Sequence, residues 1–177
     1  MAGEPVHLYL GHGASGNAAS MAAFVDGLRA RGLVADAVDL PKHRAEDAVP
    51  VWRAAVPDGA GVVAGGHSYG GRVASLAAAE GAGYSGMVLF SYPLHPPGKA
   101  ERTDARIAHW PSITCPVLLL SGESDPFAGI ELLRAKVSLL PRAELVTYPR
   151  LGHGLRPVLD DVLDRVARFV AGLNPAS

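Results

Sequence analysis

Short apolar runs bounded by glycine, proline and polar residues recur along this chain, at residues 6–10 (VHLYL), 33–40 (LVADAVDL), 61–65 (GVVAG), 86–91 (GMVLFS), 116–121 (PVLLLS) and 143–148 (AELVTY). Their Val and Leu content and their turn-forming borders predict six β-strands. Between several of them the apolar positions change to a helical period: Met21, Phe24, Val25 and Leu28; then Val73, Leu76 and Ala77; then Ile130, Leu133, Val137 and Leu140. Gly32 and Gly81 stop the first two of these stretches and Pro141 follows the third. A last stretch opens at Pro157 and places Val158, Val162, Val166, Phe169 and Val170 on one face, as expected of a helix lying on a sheet. Nearly unbroken apolar strands joined by helical crossovers predict a parallel six-stranded sheet with helices on both faces, a three-layer α/β fold. The pattern predicts one domain over residues 1–177. The segments between strands are long enough for single helices, which leaves no insertion for a cap or lid.

Composition narrows the function. With 49% hydrophobic and 19% charged residues the chain carries enough apolar surface for a core, which excludes a disordered protein. Sixteen basic against 17 acidic residues give a net charge of −1, and no basic tract marks a nucleic-acid partner. One cysteine, Cys115, makes neither an internal disulfide nor a thiolate metal cluster, and its place before Pro116 suits a small buried hydrophobe. No apolar run approaches the roughly 18 residues of a membrane span. The first residues, MAGEPVHLYLGHG, hold no cation, and none appears before Arg29. A secretory signal is therefore not expected, and a cytoplasmic setting is.

The chemistry gathers at predicted strand ends, where an open α/β sheet places its sites. The third strand runs into Gly66-His67-Ser68-Tyr69-Gly70-Gly71 and then a helix. Glycines two before and two after Ser68 let strand and helix approach closely enough to hold the serine in a sharp turn with its hydroxyl exposed, the pattern of a nucleophile elbow. A serine hydroxyl needs a base to take its proton, and the base needs an acid to fix its tautomer. Asp125 follows the fifth strand in Gly122-Glu123-Ser124-Asp125-Pro126-Phe127, and His153 follows the sixth between Gly152 and Gly154. Asp125 before Pro126 also suits a helix N-cap, and Glu123 is the reserve acid. The order Ser68, Asp125, His153 is that of an α/β-hydrolase triad. An oxyanion site would use the backbone N–H of Tyr69 and that of Ala14, or alternatively Gly13, in the loop after the first strand.

That loop, Gly11-His12-Gly13-Ala14-Ser15-Gly16, is also a literal GxGxxG, and Asp39 lies near the end of the second strand. Read as a dinucleotide site, Gly11, Gly13 and Gly16 would carry a pyrophosphate and Asp39 a ribose. This reading uses one loop, whereas the hydrolase reading uses four. His12 is expected to bond to backbone and stands with Tyr92 and His95 as a pocket-lining candidate. The latter two lie in the proline-rich segment after the fourth strand, at the same sheet edge as Ser68. His7 and His67 are expected to pack, and His43 and His109 to be exposed or half-buried. No His and carboxylate spacing suggests a metal, and the hydrolase reading needs no cofactor.

Taken together, Gly-His-Gly-Ala-Ser-Gly, Gly-His-Ser-Tyr-Gly-Gly-Arg, Ser91-Tyr92-Pro93-Leu94-His95-Pro96-Pro97-Gly98, Gly122-Glu123-Ser124-Asp125-Pro126-Phe127 and Gly152-His153-Gly154 resemble the small α/β-hydrolases of the dienelactone-hydrolase-like group. The segment SYPLHPPG is similar to the branch that includes the hydrolase-like domain of a metazoan histone-acetyltransferase complex subunit. The resemblance spans essentially the whole chain. It implies an α/β-hydrolase fold, a triad of Ser68, Asp125 and His153, and an oxyanion site at Ala14 and Tyr69. True dienelactone hydrolases carry cysteine at the elbow, so turnover of dienelactones is not implied. The expectation is a serine hydrolase acting on a small or exposed carboxylic ester or thioester, with a small-molecule acyl substrate as its partner. A non-catalytic interaction module that keeps the same residues is the alternative, because one member of the branch resembles a scaffold.

Overall fold

The inner strands form because their residues bury both faces of the pleat, and the edge strands bury part of theirs. The computed structural model describes residues 5–173, so the ends of the expected 1–177 domain lie outside the described residues. Six parallel strands, β1 (His7–Gly11), β2 (Val34–Val38), β3 (Val62–His67), β4 (Gly86–Phe90), β5 (Val117–Gly122) and β6 (Ala143–Tyr148), pair in the order β2-β1-β3-β4-β5-β6. Alternate side chains feed two cores. Leu8, Leu10, Val63, Val88, Phe90, Leu118 and Leu120 point to one face, where α1 (Ala22–Arg29) and α6 (Leu159–Leu173) cover them. Ala64, Met87, Leu89, Val117 and Leu119 point to the other, beneath α2 (Ala45–Ala55), α3 (Tyr69–Ala79) and α5 (Ile130–Lys136). On α6, Val162, Leu163, Val166 and Val170 are buried, each worth about 1.5–3 kcal/mol of transfer from water. The three-layer architecture expected from the pattern is the one present.

Two connections add to the periodic stretches named above. Helix α2 lies between β2 and β3, where alternation called for a helix but no periodic stretch was named. Its buried Ala45, Ala48, Val49 and Trp52 keep the i, i+3, i+4, i+7 spacing, but Pro50 interrupts it. The proline is exposed and costs one helical hydrogen bond, which the buried Trp52, donating to Tyr84 Oη at 3.0 Å, outweighs. Between β4 and β5 the expected single helix is replaced by an extended segment with one helical turn, α4 (Thr103–Arg106), and 3-10 turns at Ala100–Arg102 and Trp110–Ser112. Pro93, Pro96 and Pro97 lack the N–H groups a helix requires. The segment is held instead by side chains: Tyr92, Leu94, Ile107, Trp110 and Ile113 are all buried.

Behind this segment Ser75, fully buried on α3, donates to the carbonyl of Arg72 at 2.7 Å, and His109 Nε2 meets the same hydroxyl at 2.8 Å. Burial, and then the charge of Arg72, push the His109 imidazole down to about 4. The unfolded chain therefore binds a proton near pH 6.5 that the folded chain refuses until about pH 4. Stability should fall as pH drops through that window, by about 2 kcal/mol once partial exposure is allowed for. Burial lowers His67 in the same direction. Urea unfolding at pH 7.0, 5.5 and 4.5 measures the slope, and His109→Gln should flatten it in part.

Candidate active site

Strand order reverses between β1 and β3, so the connections leaving their C-terminal ends diverge and open a crevice there. Ser68 stands at that point, with φ 49° and ψ −114°, a conformation that strains any residue carrying a Cβ. Three features hold it. The Ser68 N–H donates to Phe90 O on β4 at 2.8 Å. The helix α3 that follows buries Val73, Ala74 and Ala77. Gly70 lies against Gly11 so closely that a Cβ on Gly11 would come within 2.8 Å of Gly70 Cα. The elbow therefore depends on glycine on both of the strands' connections.

Asp125 and His153 reach Ser68 because the loops after β5 and β6 are tied together. Glu123 N–H donates to Tyr148 O and Ser124 N–H to Leu151 O, both at 2.9 Å. His153 Nδ1 lies 2.8 Å from Asp125 Oδ2, and His153 Nε2 lies 2.9 Å from Ser68 Oγ. The Asp125 side chain is fully buried, and its other oxygen accepts the Phe127 N–H at 2.8 Å. A buried carboxylate in that position fixes the imidazole with a proton on Nδ1 and leaves Nε2 as the acceptor toward the serine. Glu123 points elsewhere: its carboxylate accepts from Thr147 Oγ1 at 2.8 Å and meets Arg134 at 3.1 Å.

Two residues of the site carry more than the sequence reading assigned them. His67 was expected only to pack, yet it lines the cleft beside Ser68, and its Nε2–H donates to the His153 carbonyl at 3.1 Å. Burial lowers its pKa and keeps it neutral. Phe127 packs against the His153 ring, tilted 35° with centroids 4.4 Å apart, and lines the same cleft. Their signal was adjacency: His67 precedes the elbow serine, and Phe127 follows Asp125 by two residues.

The converse holds for three pocket-lining candidates. His12 is buried, accepts the Leu40 N–H at Nε2 (2.9 Å) and donates from Nδ1 to the Gly13 carbonyl (2.7 Å), so it shapes its loop from behind. Tyr92 is buried against Trp110, in an edge-to-face contact with centroids 5.2 Å apart. His95 is buried and bonds to Pro96 O at 2.8 Å. None of the three walls the clefts at Ser68. Tyr92 and His95 turn inward with Leu94, while Pro93 between them reaches the second cleft.

Ser68 and Ala14 lie on the wall shared by two clefts. One, of about 490 Å³, is lined by Met21, Phe24, Leu155 and Pro157 together with His153. The other, of about 480 Å³, is lined by Tyr69, Pro93 and several arginines. Tyr69 is the first residue of α3, so its N–H has no partner within the helix and faces the region where positive potential is greatest. In the Gly11–Gly16 loop, Gly16 N–H closes a turn on Gly13 O at 3.0 Å. Asp39 accepts the Ala18 N–H at 2.6 Å, which engages the carboxylate that a dinucleotide ribose would need. Among the described residues no cluster of three or more His, Cys, Asp or Glu side chains could hold a metal ion, and no helix is long and apolar enough to cross a membrane.

Known proteins share this architecture. No curated protein matches the chain. Solved structures that resemble it include a monoacylglycerol lipase of Paleococcus ferrophilus (14% identity, 97% of this chain and 97% of the other, TM-score 0.82). Another is a thermophilic esterase of the Planctomycetes species Thermogutta terrifontis (17% identity, 99% and 87%, TM-score 0.75). A third is TT1662 of Thermus thermophilus (21% identity, 98% and 91%, TM-score 0.71). At these identities the likeness is one of fold. A model of the alpha/beta hydrolase domain family matches residues 6–167. This covers nearly the whole described chain, from the strand before the glycine loop to the last helix, and the chain therefore belongs to the alpha/beta hydrolase domain family.

Proposed function

We propose that the protein is a serine hydrolase that cleaves a carboxylic ester or thioester through an acyl-enzyme. The observation that carries this reading is the unbroken hydrogen-bonded chain from Ser68 Oγ through His153 to the buried Asp125, with the serine held in a strained turn. Ser68 Oγ attacks the acyl carbonyl as His153 Nε2 takes its proton, and Asp125 stabilises the imidazolium that forms. The carbonyl oxygen becomes an oxyanion, for which the N–H groups of Tyr69 and Ala14 are the donors, worth a few kcal/mol each. His153 then gives the proton to the leaving oxygen or sulfur, and water repeats the sequence to release the acid. Neutral His67, bonded to the His153 carbonyl, positions the base.

Esterases and lipases among the structural relatives agree with this reaction class, and the Thermogutta esterase was solved with butyrate bound. Both clefts open beside Ser68, which suits a short or exposed acyl group.

A fluorophosphonate probe tests the proposal without knowledge of the substrate, because it labels only an activated serine. Peptide mass mapping should find the adduct on Ser68, and labelling should vanish in Ser68→Ala and His153→Ala. Folded wild-type protein that takes no label would overturn the catalytic reading in favour of an interaction module.

A further inference from the structure

The second cleft at Ser68 has a chemistry that ester cleavage alone does not call for. Arg44, Arg72, Arg102 and Arg106 line it, and among the described residues Glu46 is the one carboxylate on its wall. Glu46 is engaged: it receives Arg72 at 2.5 Å and Arg44 at 3.8 Å. Arg72, one helical turn beyond Ser68 on α3, is only 15% exposed, and its Nε is buried without a hydrogen-bond partner. Arg102 and Arg106 flank α4 one turn apart, so both present guanidinium groups to the same cleft. Burial and then the charge of Arg72 lower the pKa of Arg106, with Glu46 opposing the shift. Guanidinium forks match the paired oxygens of a carboxylate or phosphate.

The two clefts also divide the substrate. His153, which must protonate the leaving group, lines the apolar cleft and not the basic one. The leaving alcohol or thiol therefore belongs with Met21, Phe24 and Leu155, and the acyl chain with the arginines.

Resting on the hydrolase reading above, we propose that the acyl chain of the substrate ends in an oxyanion, carboxylate or phosphate, held by Arg72, Arg102 and Arg106. Ser68 Oγ bonds to the acyl carbon as the ester C–O bond breaks, and the serine proton leaves with the alcohol. Water then breaks the Ser68–acyl bond, its hydrogen restoring the serine hydroxyl and its OH completing the acid, whose distal anion stays on the arginines throughout.

The test compares 4-nitrophenyl hexanoate with mono-4-nitrophenyl adipate, equal in chain length, and with the 4-nitrophenyl carboxylic ester of 5-phosphonopentanoic acid, whose phosphonate is free. A fourth substrate, 4-(hexanoyloxy)benzoate, carries its charge on the leaving group. Wild-type protein should prefer an anionic acyl ester over hexanoate by at least tenfold in kcat/KM, and the larger ratio identifies the oxyanion. In Arg102→Gln/Arg106→Gln the preference should fall to within twofold, through loss of kcat/KM on the anionic acyl esters. Equal rates on hexanoate and both anionic acyl esters would overturn the proposal, and a preference for the benzoate would overturn the assignment of the acyl arm. Calorimetric titration with adipate and with 5-phosphonopentanoate separates this from failure of the hydrolase reading. Wild-type should bind one of them at least tenfold more tightly than the double variant, whether or not any ester turns over; equal binding of both sinks the anion site alone.

Discussion

On the proposed hydrolase reading, Ser68→Ala should lower kcat/KM for ester substrates by about 10⁴-fold or more, while the unfolding free energy from urea stays within about 0.5 kcal/mol of wild type. The chemical loss follows from the absence of any second nucleophile on His153, whose Nε2 faces Ser68 alone. The stability is spared because alanine keeps the Cβ and its strain, and the hydroxyl lies at an open cleft where water replaces its one bond. Ser68→Gly provides the converse reading. It should be equally inactive yet more stable than Ser68→Ala, because φ 49° costs glycine nothing. Removing His153 as well should add little to the loss, since groups that act as one unit are not additive. Steady-state ester hydrolysis and urea unfolding on the same preparations measure both quantities. Residual activity within tenfold of wild type in Ser68→Ala would remove this serine from the mechanism.

Gly70→Ala should be severely damaging, destabilising the protein by about 4 kcal/mol or preventing folding. A Cβ at Gly70 would overlap the Cα, carbonyl carbon and oxygen of Gly11, which are backbone atoms of a central strand and cannot swing aside. Accommodation would require separating α3 from β1, which would open the core beneath the elbow and displace Ser68. Gly172→Ala is the control. Nothing lies within 4 Å of its added Cβ on the exposed side of α6, so it should gain about 0.5–1 kcal/mol from helix propensity. A Gly70→Ala protein as stable as wild type would mean that strand and helix need not touch at the elbow.

The strands were legible because parallel strands covered on both faces are continuous apolar runs: β4 and β5 are buried at every position. Helix α6 was legible through its one-sided stripe. Helix α2 was not, because one exposed proline weighs against a helix in a pattern reading, whereas in the fold the burial of Trp52 decides. The β4–β5 segment does wall a cleft, through Pro93, Arg102 and Arg106, but the two side chains singled out in it, Tyr92 and His95, are buried instead. The arginines that do reach the second cleft, Arg102 and Arg106, sit in a stretch with no motif at all.

Local steric rules carry information that a linear pattern displays: glycine at both spacings around Ser68, apolar alternation in the strands, and the order Ser68, Asp125, His153 along the chain. These determined the fold class, the elbow and the identity of the triad candidates from sequence alone. Distances across loops are a different kind of quantity. Whether Asp125 or Glu123 backs His153, that His67 and Phe127 hold the imidazole, and that guanidinium groups from α3 and α4 converge beside Ser68 depend on where separate strand ends are brought by one sheet. Tertiary packing alone decided them, because residues far apart in the chain share no local constraint until the strands pair.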